Sequence, residues 1–141
     1  MNCVEINGGR KDQRALAALT VAVAADALGL GRTRTLEIDL KITRGLHKKT
    51  GAEAFYLMGD THKEHEIEVD AELGLRDFIT AICHEMVHLK QAYRKEMIQK
   101  NNGRTYWKGK DCTDVDYLNQ PWEKEAYKLQ DKIALKIWEA L

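Results

Sequence analysis

Hydrophobic and polar residues alternate most regularly between residues 35 and 43. Every second position there is aliphatic, and the positions between them are charged or carry a hydroxyl group. This period of two places one face of a β-strand against a core and the other face in water. The aliphatic positions are Leu36, Ile38, Leu40 and Ile42. We therefore predict a half-buried strand over this segment.

Two later segments, residues 54–58 and 66–71, also predict strands, with a turn near Gly59 between them. Val4 and Ile6 predict a short additional strand close to the N-terminus. Three consecutive strands joined by short connections favour an antiparallel meander.

Three segments predict helices: residues 11–28, residues 75–97 and the segment from Pro121 to the C-terminus. Gly29 and Gly31 are stop signals for the first helix, and Pro121 suits the first position of the last one. The residues predicted to face inward are Leu16, Leu19 and Val23 of the first helix; Leu75, Phe78, Ile79, Ile82, Met86, Leu89 and Tyr93 of the second; and Trp122, Ala126, Leu129, Ile133 and Ile137 of the third.

This order of elements predicts an α+β fold: an N-terminal helix, a small and mainly antiparallel sheet, a central helix, an irregular segment and a C-terminal helix. The chain has 141 residues, one proline and no repeat or low-complexity stretch. We therefore predict one domain spanning residues 1–141.

Composition says more about the compartment and the partners of the protein than about its function. Lysine and arginine number 22 and so do aspartate and glutamate, so the net charge is zero and no overall field attracts nucleic acid or an anionic membrane. The three cysteines form no CxxC pair, which argues against a disulfide framework. No signal-peptide pattern or membrane-length apolar run is present. We expect a cytoplasmic protein with neither a membrane nor a nucleic-acid partner.

The central predicted helix contains a complete HExxH motif, from His84 to His88. Residues four apart lie on one face of a helix, so both imidazoles can bind one metal ion. Glu85 lies beside them, where its carboxylate can take a proton from water. The motif predicts a zinc hydrolase.

Catalytic zinc usually has three protein ligands, and the motif supplies two of them. No histidine follows His88, which excludes the subclass that takes its third histidine from downstream. A carboxylate at the start of the last helix is the remaining option. Glu123 and Glu125 are both candidates on spacing alone.

Two segments together resemble a known class of zinc proteins. They are HEMVHLKQ, which begins at His84, and PWEKEAY, which begins at Pro121, with YWKG between them. These segments are similar to small zinc metallopeptidases encoded by tailed bacteriophages, of the glutamate-type zincin (gluzincin) class. ImmA/IrrE-type and Ste24-like metallopeptidases share the same local motif. The resemblance covers residues 75–130 and implies a minimal zincin-like fold acting in the host cytoplasm.

The resemblance implies a particular third ligand. In an E-x-x-A pattern the ligand is Glu123, because Ala126 follows it by three residues. Where the wider class has Asp or Asn next, this chain has Tyr127, so Asp77 or a backbone carbonyl is left to orient the ligand histidine. The implied cofactor is Zn²⁺, with His84, His88 and Glu123 as its ligands.

The expected reaction is zinc-assisted hydrolysis of a peptide bond, with Glu85 as the general base. A tyrosine hydroxyl is expected to stabilise the developing oxyanion. Tyr106, Tyr117 and Tyr127 are candidates, and Tyr117 is favoured because it lies in the loop before the ligand helix. We expect a peptide or protein substrate to add as a strand beside residues 66–71, and a partner protein could complete a shallow cleft.

Other functions remain open. A DNA-associated SprT-like protease also carries HExxH, but it uses a downstream histidine that this chain lacks. A non-catalytic metal-binding or protein-interaction domain would not need Glu85, and its closed site would use a fourth ligand such as Glu125 or Asp116. His62 and His65 are expected at the surface.

Overall fold

Four helices and two small sheets are present in the part of the chain that the computed structural model describes, residues 3–30 and 36–141. The helices are α1 (Lys11–Ala27), α2 (Leu46–Thr50), α3 (Leu75–Tyr93) and α4 (Pro121–Ala140), and a 3-10 turn (Tyr117–Asn119) precedes α4. The strands are β1 (Cys3–Gly8), β2 (Glu37–Thr43), β3 (Ala54–Met58), β4 (Glu64–Asp70), β5 (Met97–Gln99), β6 (Thr105–Trp107) and β7 (Lys110–Asp111). The predicted α+β class is confirmed.

The larger sheet has the strand order β1-β2-β4-β3. β1, β2 and β4 run parallel, and β3 runs antiparallel to β4, so the predicted antiparallel meander is wrong. A meander would place β3 in the middle, where a strand is well covered. Leu57 and Met58 of β3 are about half exposed, whereas Ile67 and Val69 of β4 are fully buried. Burial therefore favours β4 as the inner strand and β3 as the edge.

The alternating residues of β2 form one wall of the hydrophobic core. Ile38, Leu40 and Ile42 are buried and pack with residues of α1 and α3. The predicted strand is confirmed from Glu37 onward, and Thr35 lies outside the described residues. The short N-terminal strand predicted at Val4 is confirmed as β1.

α1 has the predicted limits to within one residue, but a different face is buried. The fully buried positions include Ala17, Thr20, Val21 and Ala24, while Leu16, Leu19 and Val23 are only partly buried. Small residues on the inner face let α1 lie close to its neighbours, and the larger side chains pack along the flanks. Gly29 follows the helix with a φ of +75°, and Gly31 lies outside the described residues.

α3 ends at Tyr93, before the predicted boundary at residue 97. Lys95 adopts a left-handed conformation with a φ of +58°. The Glu96 N–H then donates to the Gln91 carbonyl at 2.8 Å, which closes the helix in a Schellman arrangement. The chain turns into β5, which pairs with β6. Residues 105–107, in the segment predicted to be irregular, form β6.

α4 packs along α3 and completes the core. Its inward residues are Trp122, Ala126, Ile133 and Ile137, with Leu129 partly buried. This set agrees with the predicted stripe. The packing brings the first turn of α4 against the HExxH segment of α3, which positions the candidate site.

None of the helices within residues 3–30 and 36–141 combines the length and the apolar character that crossing a bilayer requires. Cys3, Cys83 and Cys112 are free thiols. Burial raises the pKa of the Cys83 thiol to about 12, so this residue of the motif helix is protonated at neutral pH and is a poor nucleophile.

Candidate metal centre

His84 and His88 lie one helical turn apart on the same face of α3, as their spacing predicts. Their Nε2 atoms are 3.2 Å apart, and their rings meet edge to face with centroids separated by 4.8 Å. Both side chains are largely buried, with 14% and 13% of their surface exposed. α3 alone therefore brings two imidazole nitrogens to one point.

Glu123 reaches this point from the first turn of α4. Its Oε1 atom lies 3.0 Å from His84 Nε2 and 3.3 Å from His88 Nε2. Trp122, directly before it, is buried and fixes the rotation of the helix. His84, His88 and Glu123 thus form a candidate metal cluster whose ligand atoms all lie within 4.8 Å of one another.

Two glutamines orient the histidine rings. His84 Nδ1 lies 2.6 Å from Gln130 Oε1, and His88 Nδ1 lies 2.9 Å from Gln91 Oε1. An amide oxygen only accepts hydrogen bonds, so each Nδ1 carries a proton and donates it. The orientation of the Gln91 amide is fixed independently, because its Nε2 donates to the Trp122 carbonyl at 2.9 Å.

These tautomers explain why the cluster attracts a cation. With both Nδ1 atoms protonated, the Nε2 lone pairs of His84 and His88 point toward the Glu123 carboxylate. Three electron-pair donors separated by 3.0, 3.2 and 3.3 Å repel one another unless a cation or a proton lies between them. A tetrahedral zinc ion with bonds of about 2.0–2.1 Å would place its ligand atoms roughly 3.3 Å apart. The donor set therefore fits a divalent metal ion.

Electrostatic coupling keeps Glu123 ionised. Burial acts to raise the pKa of this carboxyl, but a proton on the Nε2 atoms of His84 and His88 gives hydrogen bonds to Glu123 that outweigh burial and lower the pKa to about 2. Burial acts to lower the pKa of His88, yet its hydrogen bonds to Glu123 and Gln91 make the net shift upward. Burial raises the pKa of Glu85. Glu123 is thus an anion at neutral pH, as a carboxylate ligand must be.

Glu125, the alternative third ligand, has a different role. Its Oε1 atom lies 2.8 Å from Lys90 Nζ and accepts a second hydrogen bond from Gln91. Asp116 is exposed and bonds the Asn119 side chain at 2.8 Å. No fourth histidine, cysteine or carboxylate among residues 3–30 and 36–141 joins the cluster. The donor set is therefore the one that the resemblance implied, without the additional ligand of a closed site.

The orienting glutamines were missed by sequence reasoning, which expected Asp77 or a backbone carbonyl. Asp77 is exposed in the first turn of α3, and the partner of His84 comes instead from α4, 46 positions along the chain. The spacing of the two glutamines in the sequence could have identified them. Gln91 follows His88 by three residues and Gln130 follows Glu123 by seven, distances that keep each pair on one helix face.

The cluster borders a cleft of about 870 Å³. Glu85 and Tyr117, the two residues predicted to act in catalysis, both line this cleft. Of the other two candidate tyrosines, Tyr127 packs its ring against His84 at 4.8 Å and its hydroxyl lies 3.1 Å from that of Tyr117. Tyr106 is not among the described residues that line the cleft.

The two upstream histidines differ in their surroundings. His65 is only 3% exposed, and the Tyr56 hydroxyl lies 2.6 Å from its Nδ1 atom. The surface position predicted for His65 is wrong, because the rings of Tyr56 and Tyr93 pack against it. Burial lowers the pKa of His65 to about 4. His62 is exposed as predicted, and it lines the cleft.

The walls of the cleft are formed by β3 and β5, whose residues all line it. The predicted docking of substrate beside residues 66–71 is wrong, because β4 is already paired with β2 on one side and β3 on the other. Trp122 lines the cleft, and its ring centroid lies 6.5 Å from that of Trp107.

Comparisons of the chain with protein-family models, with curated proteins and with solved structures found no match. The fold and the site define an α+β protein that carries a two-histidine, one-glutamate cluster between two packed helices.

Proposed function

We propose that the protein is a zinc-dependent peptide hydrolase built on a minimal zincin-like domain. The observation that supports this most strongly is the convergence of three electron-pair donors, His84 Nε2, His88 Nε2 and Glu123 Oε1, within 3.0–3.3 Å. Three protein ligands that border a cleft are typical of catalytic zinc, whereas structural zinc has four. A buried carboxyl, that of Glu85, lies at the same cleft and has no use in a purely structural site.

The residues present fit zinc in their chemistry. Two imidazoles and one carboxylate form a donor set that zinc accepts, and both imidazoles are held by hydrogen bonds at the opposite ring nitrogen. When bound, zinc supplies a Lewis acid that acidifies water and polarises a carbonyl group. His84, His88 and Glu123 would hold it.

Glu85 moves the proton in the proposed reaction. The oxygen of water bonds to the carbonyl carbon while the Glu85 carboxylate accepts a proton from that water. As the bond between carbon and nitrogen breaks, Glu85 returns the proton to the leaving amine. The upward shift that burial gives the pKa of Glu85 suits a group that must first accept and then release a proton.

Tyr117 is the proposed hydrogen-bond donor to the carbonyl oxygen as negative charge develops there. Its side chain lines the cleft and is about half exposed, so it can approach a bound substrate. The hydrogen bond with Tyr127 raises the pKa of Tyr117, which keeps its hydroxyl proton in place at neutral pH.

The proposed substrate is an extended polypeptide that adds as a strand to β3. β3 pairs with β4 along one side, and no strand among the described residues pairs along its other side. Main-chain hydrogen bonds to this edge would align a peptide with the cluster and demand little of its sequence.

The test uses zinc-loaded protein and a library of fluorescence-quenched peptides. We expect Glu85→Gln to reduce hydrolysis at least about 100-fold while leaving the zinc content unchanged. Glu139→Gln, at an exposed position near the end of α4, is the matched control and keeps full activity. Equal hydrolysis by wild type and Glu85→Gln, or by zinc-loaded and chelator-treated protein, would overturn the proposal.

A further inference from the structure

The cleft lies between two sheet edges rather than one. β3 is an edge strand of the larger sheet and β5 is an edge strand of the smaller one. All five residues of β3 and all three residues of β5 line the cleft. Leu57, Met58 and Ile98 on these strands are 51%, 53% and 40% exposed. The walls therefore offer main-chain hydrogen-bonding groups and apolar side chains to an extended chain.

Lys95 lines this cleft at the point where the chain passes from α3 to β5. Among the described residues that line the cleft it is the one lysine or arginine. Its side chain is exposed, and no acidic group in residues 3–30 and 36–141 forms an ion pair with its ammonium. Lys90, one helical turn earlier, is instead held by two glutamates at 2.8 Å. The Lys95 charge is available to a ligand.

The backbone conformation at position 95 is one in which a lysine is unusual. The residue occupies the left-handed position of the Schellman arrangement, with a φ of +58° and its N–H donating to the Ala92 carbonyl at 3.1 Å. Glycine is the usual residue there, because a Cβ atom is strained in this conformation. A lysine that strains the backbone and makes no ion pair contributes nothing evident to the fold. Strained residues of this kind concentrate at functional sites.

We propose that Lys95 binds a carboxylate of the substrate. The ligand is an extended, largely apolar peptide, and the carboxylate belongs either to an acidic side chain or to the C-terminus of that peptide. Lys95 would then determine specificity by charge, while β3 and β5 bind the apolar part of the chain. The inference rests on the proposed peptide hydrolase, because it takes the same cleft as the substrate site.

Binding, rather than cleavage, is the measurement that tests it. Three fluorescein-labelled hexapeptides of leucine and valine are compared. The neutral peptide has a central glutamine and an amidated C-terminus, and each of the other two differs from it in a single group. The first peptide has a central glutamate in place of glutamine, and the third has a free C-terminal carboxylate in place of the amide. Their affinities are measured by fluorescence anisotropy with the zinc-loaded, 141-residue Glu85→Gln protein, which is expected to leave the peptides intact. The first and third peptides separate the two sources of carboxylate.

Two substitutions, each made in the Glu85→Gln protein, test what the Lys95 ammonium group contributes to binding. Lys95→Gly removes the charge and relaxes the backbone. Lys108→Gly does the same at a second lysine of positive φ, +48°, which is not among the cleft-lining residues. We expect one carboxylate peptide to bind about threefold to tenfold more tightly than the neutral peptide. Lys95→Gly abolishes this preference, and Lys95→Arg and Lys108→Gly retain it.

The inference is overturned if the three peptides bind equally, if none binds, or if Lys108→Gly abolishes the preference as completely as Lys95→Gly. Failure of the proposed hydrolase has a different signature. The peptides would stay intact with zinc-loaded wild-type protein while the Lys95-dependent preference persists, which would support carboxylate binding by a protein that is not a peptidase.

Discussion

The carboxamide of Gln91 connects the two halves of the candidate metal centre. Its oxygen accepts a hydrogen bond from the Nδ1–H group of His88, and its nitrogen donates to the Trp122 carbonyl in the first turn of α4. Gln91 is fully buried, so both groups are removed from water and neither bond is easily exchanged. The orientation of His88 is thereby coupled to the position of the helix that carries Glu123.

Gln130 orients His84 in the same way and offers a cleaner test, because the hydrogen bond to the Trp122 carbonyl is made by Gln91 and not by Gln130. We expect Gln130→Ala to weaken zinc binding about 10-fold to 100-fold, since loss of the hydrogen bond at Nδ1 frees the ring to rotate and change tautomer. Competition with a chromophoric chelator measures the zinc dissociation constant. Lys132→Ala, an exposed change on the same helix, should leave it unaltered. Equal zinc affinity in the two variants would refute the orienting role.

His65 predicts a dependence of stability on pH that is separate from the metal centre. Burial lowers its pKa to about 4, against a hydrogen bond with the His62 backbone that acts to raise it, so between pH 6.5 and pH 4 the unfolded chain binds a proton that the folded chain does not. The free energy of unfolding therefore falls as the pH decreases through this window. We expect a loss of about 2 kcal/mol from this residue between pH 7.5 and pH 5.

Urea denaturation of the chelator-treated protein at the two pH values measures this loss. His65→Gln replaces the imidazole with an amide that does not titrate, so about 2 kcal/mol of the pH dependence should disappear. His47→Gln, at an exposed histidine of α2, should retain the wild-type difference. An unchanged pH dependence in His65→Gln would contradict the assignment.

Among the secondary-structure elements, α3 has the end that sequence periodicity predicted least well. Met97 and Ile98 continue the apolar pattern of the helix, yet they form β5 because the chain leaves the helix at Lys95. Lysine is not a stop signal in a sequence. Only the pairing of β5 with β6 and the hydrogen bond from Glu96 to Gln91 reveal the turn.

The strain at this turn can be measured by comparing glycine with alanine at position 95. Lys95→Gly relaxes the left-handed backbone, whereas Lys95→Ala removes the side chain and keeps the strain. We expect the glycine variant to be more stable than the alanine variant by about 1 kcal/mol. Chemical denaturation of both proteins measures the difference. Equal stabilities would show that the turn is not strained at this residue.

For the whole molecule, local patterns predicted the elements and the spacing of HExxH predicted two ligands. The third ligand, Glu123, came from a resemblance, and the structure places its oxygen 3.0 Å from His84 Nε2. The strand order of the larger sheet could not be predicted from local sequence patterns. β4 lies between β2 and β3, and this position depends on how well each strand is buried by the rest of the structure. The same limit applies to His65, since its burial comes from Tyr56 of β3 and Tyr93 of α3, which lie far apart in the sequence.

We propose that α3 and α4 together hold one metal ion through His84, His88 and Glu123. Elemental analysis of zinc-reconstituted protein after gel filtration tests it most directly, with Glu125→Ala as the matched control for Glu123→Ala. We predict about one zinc per chain in wild type and in Glu125→Ala, and loss of the metal in His88→Ala and Glu123→Ala. Wild-type protein that retains no zinc, or Glu123→Ala protein that retains as much as wild type, would contradict the account.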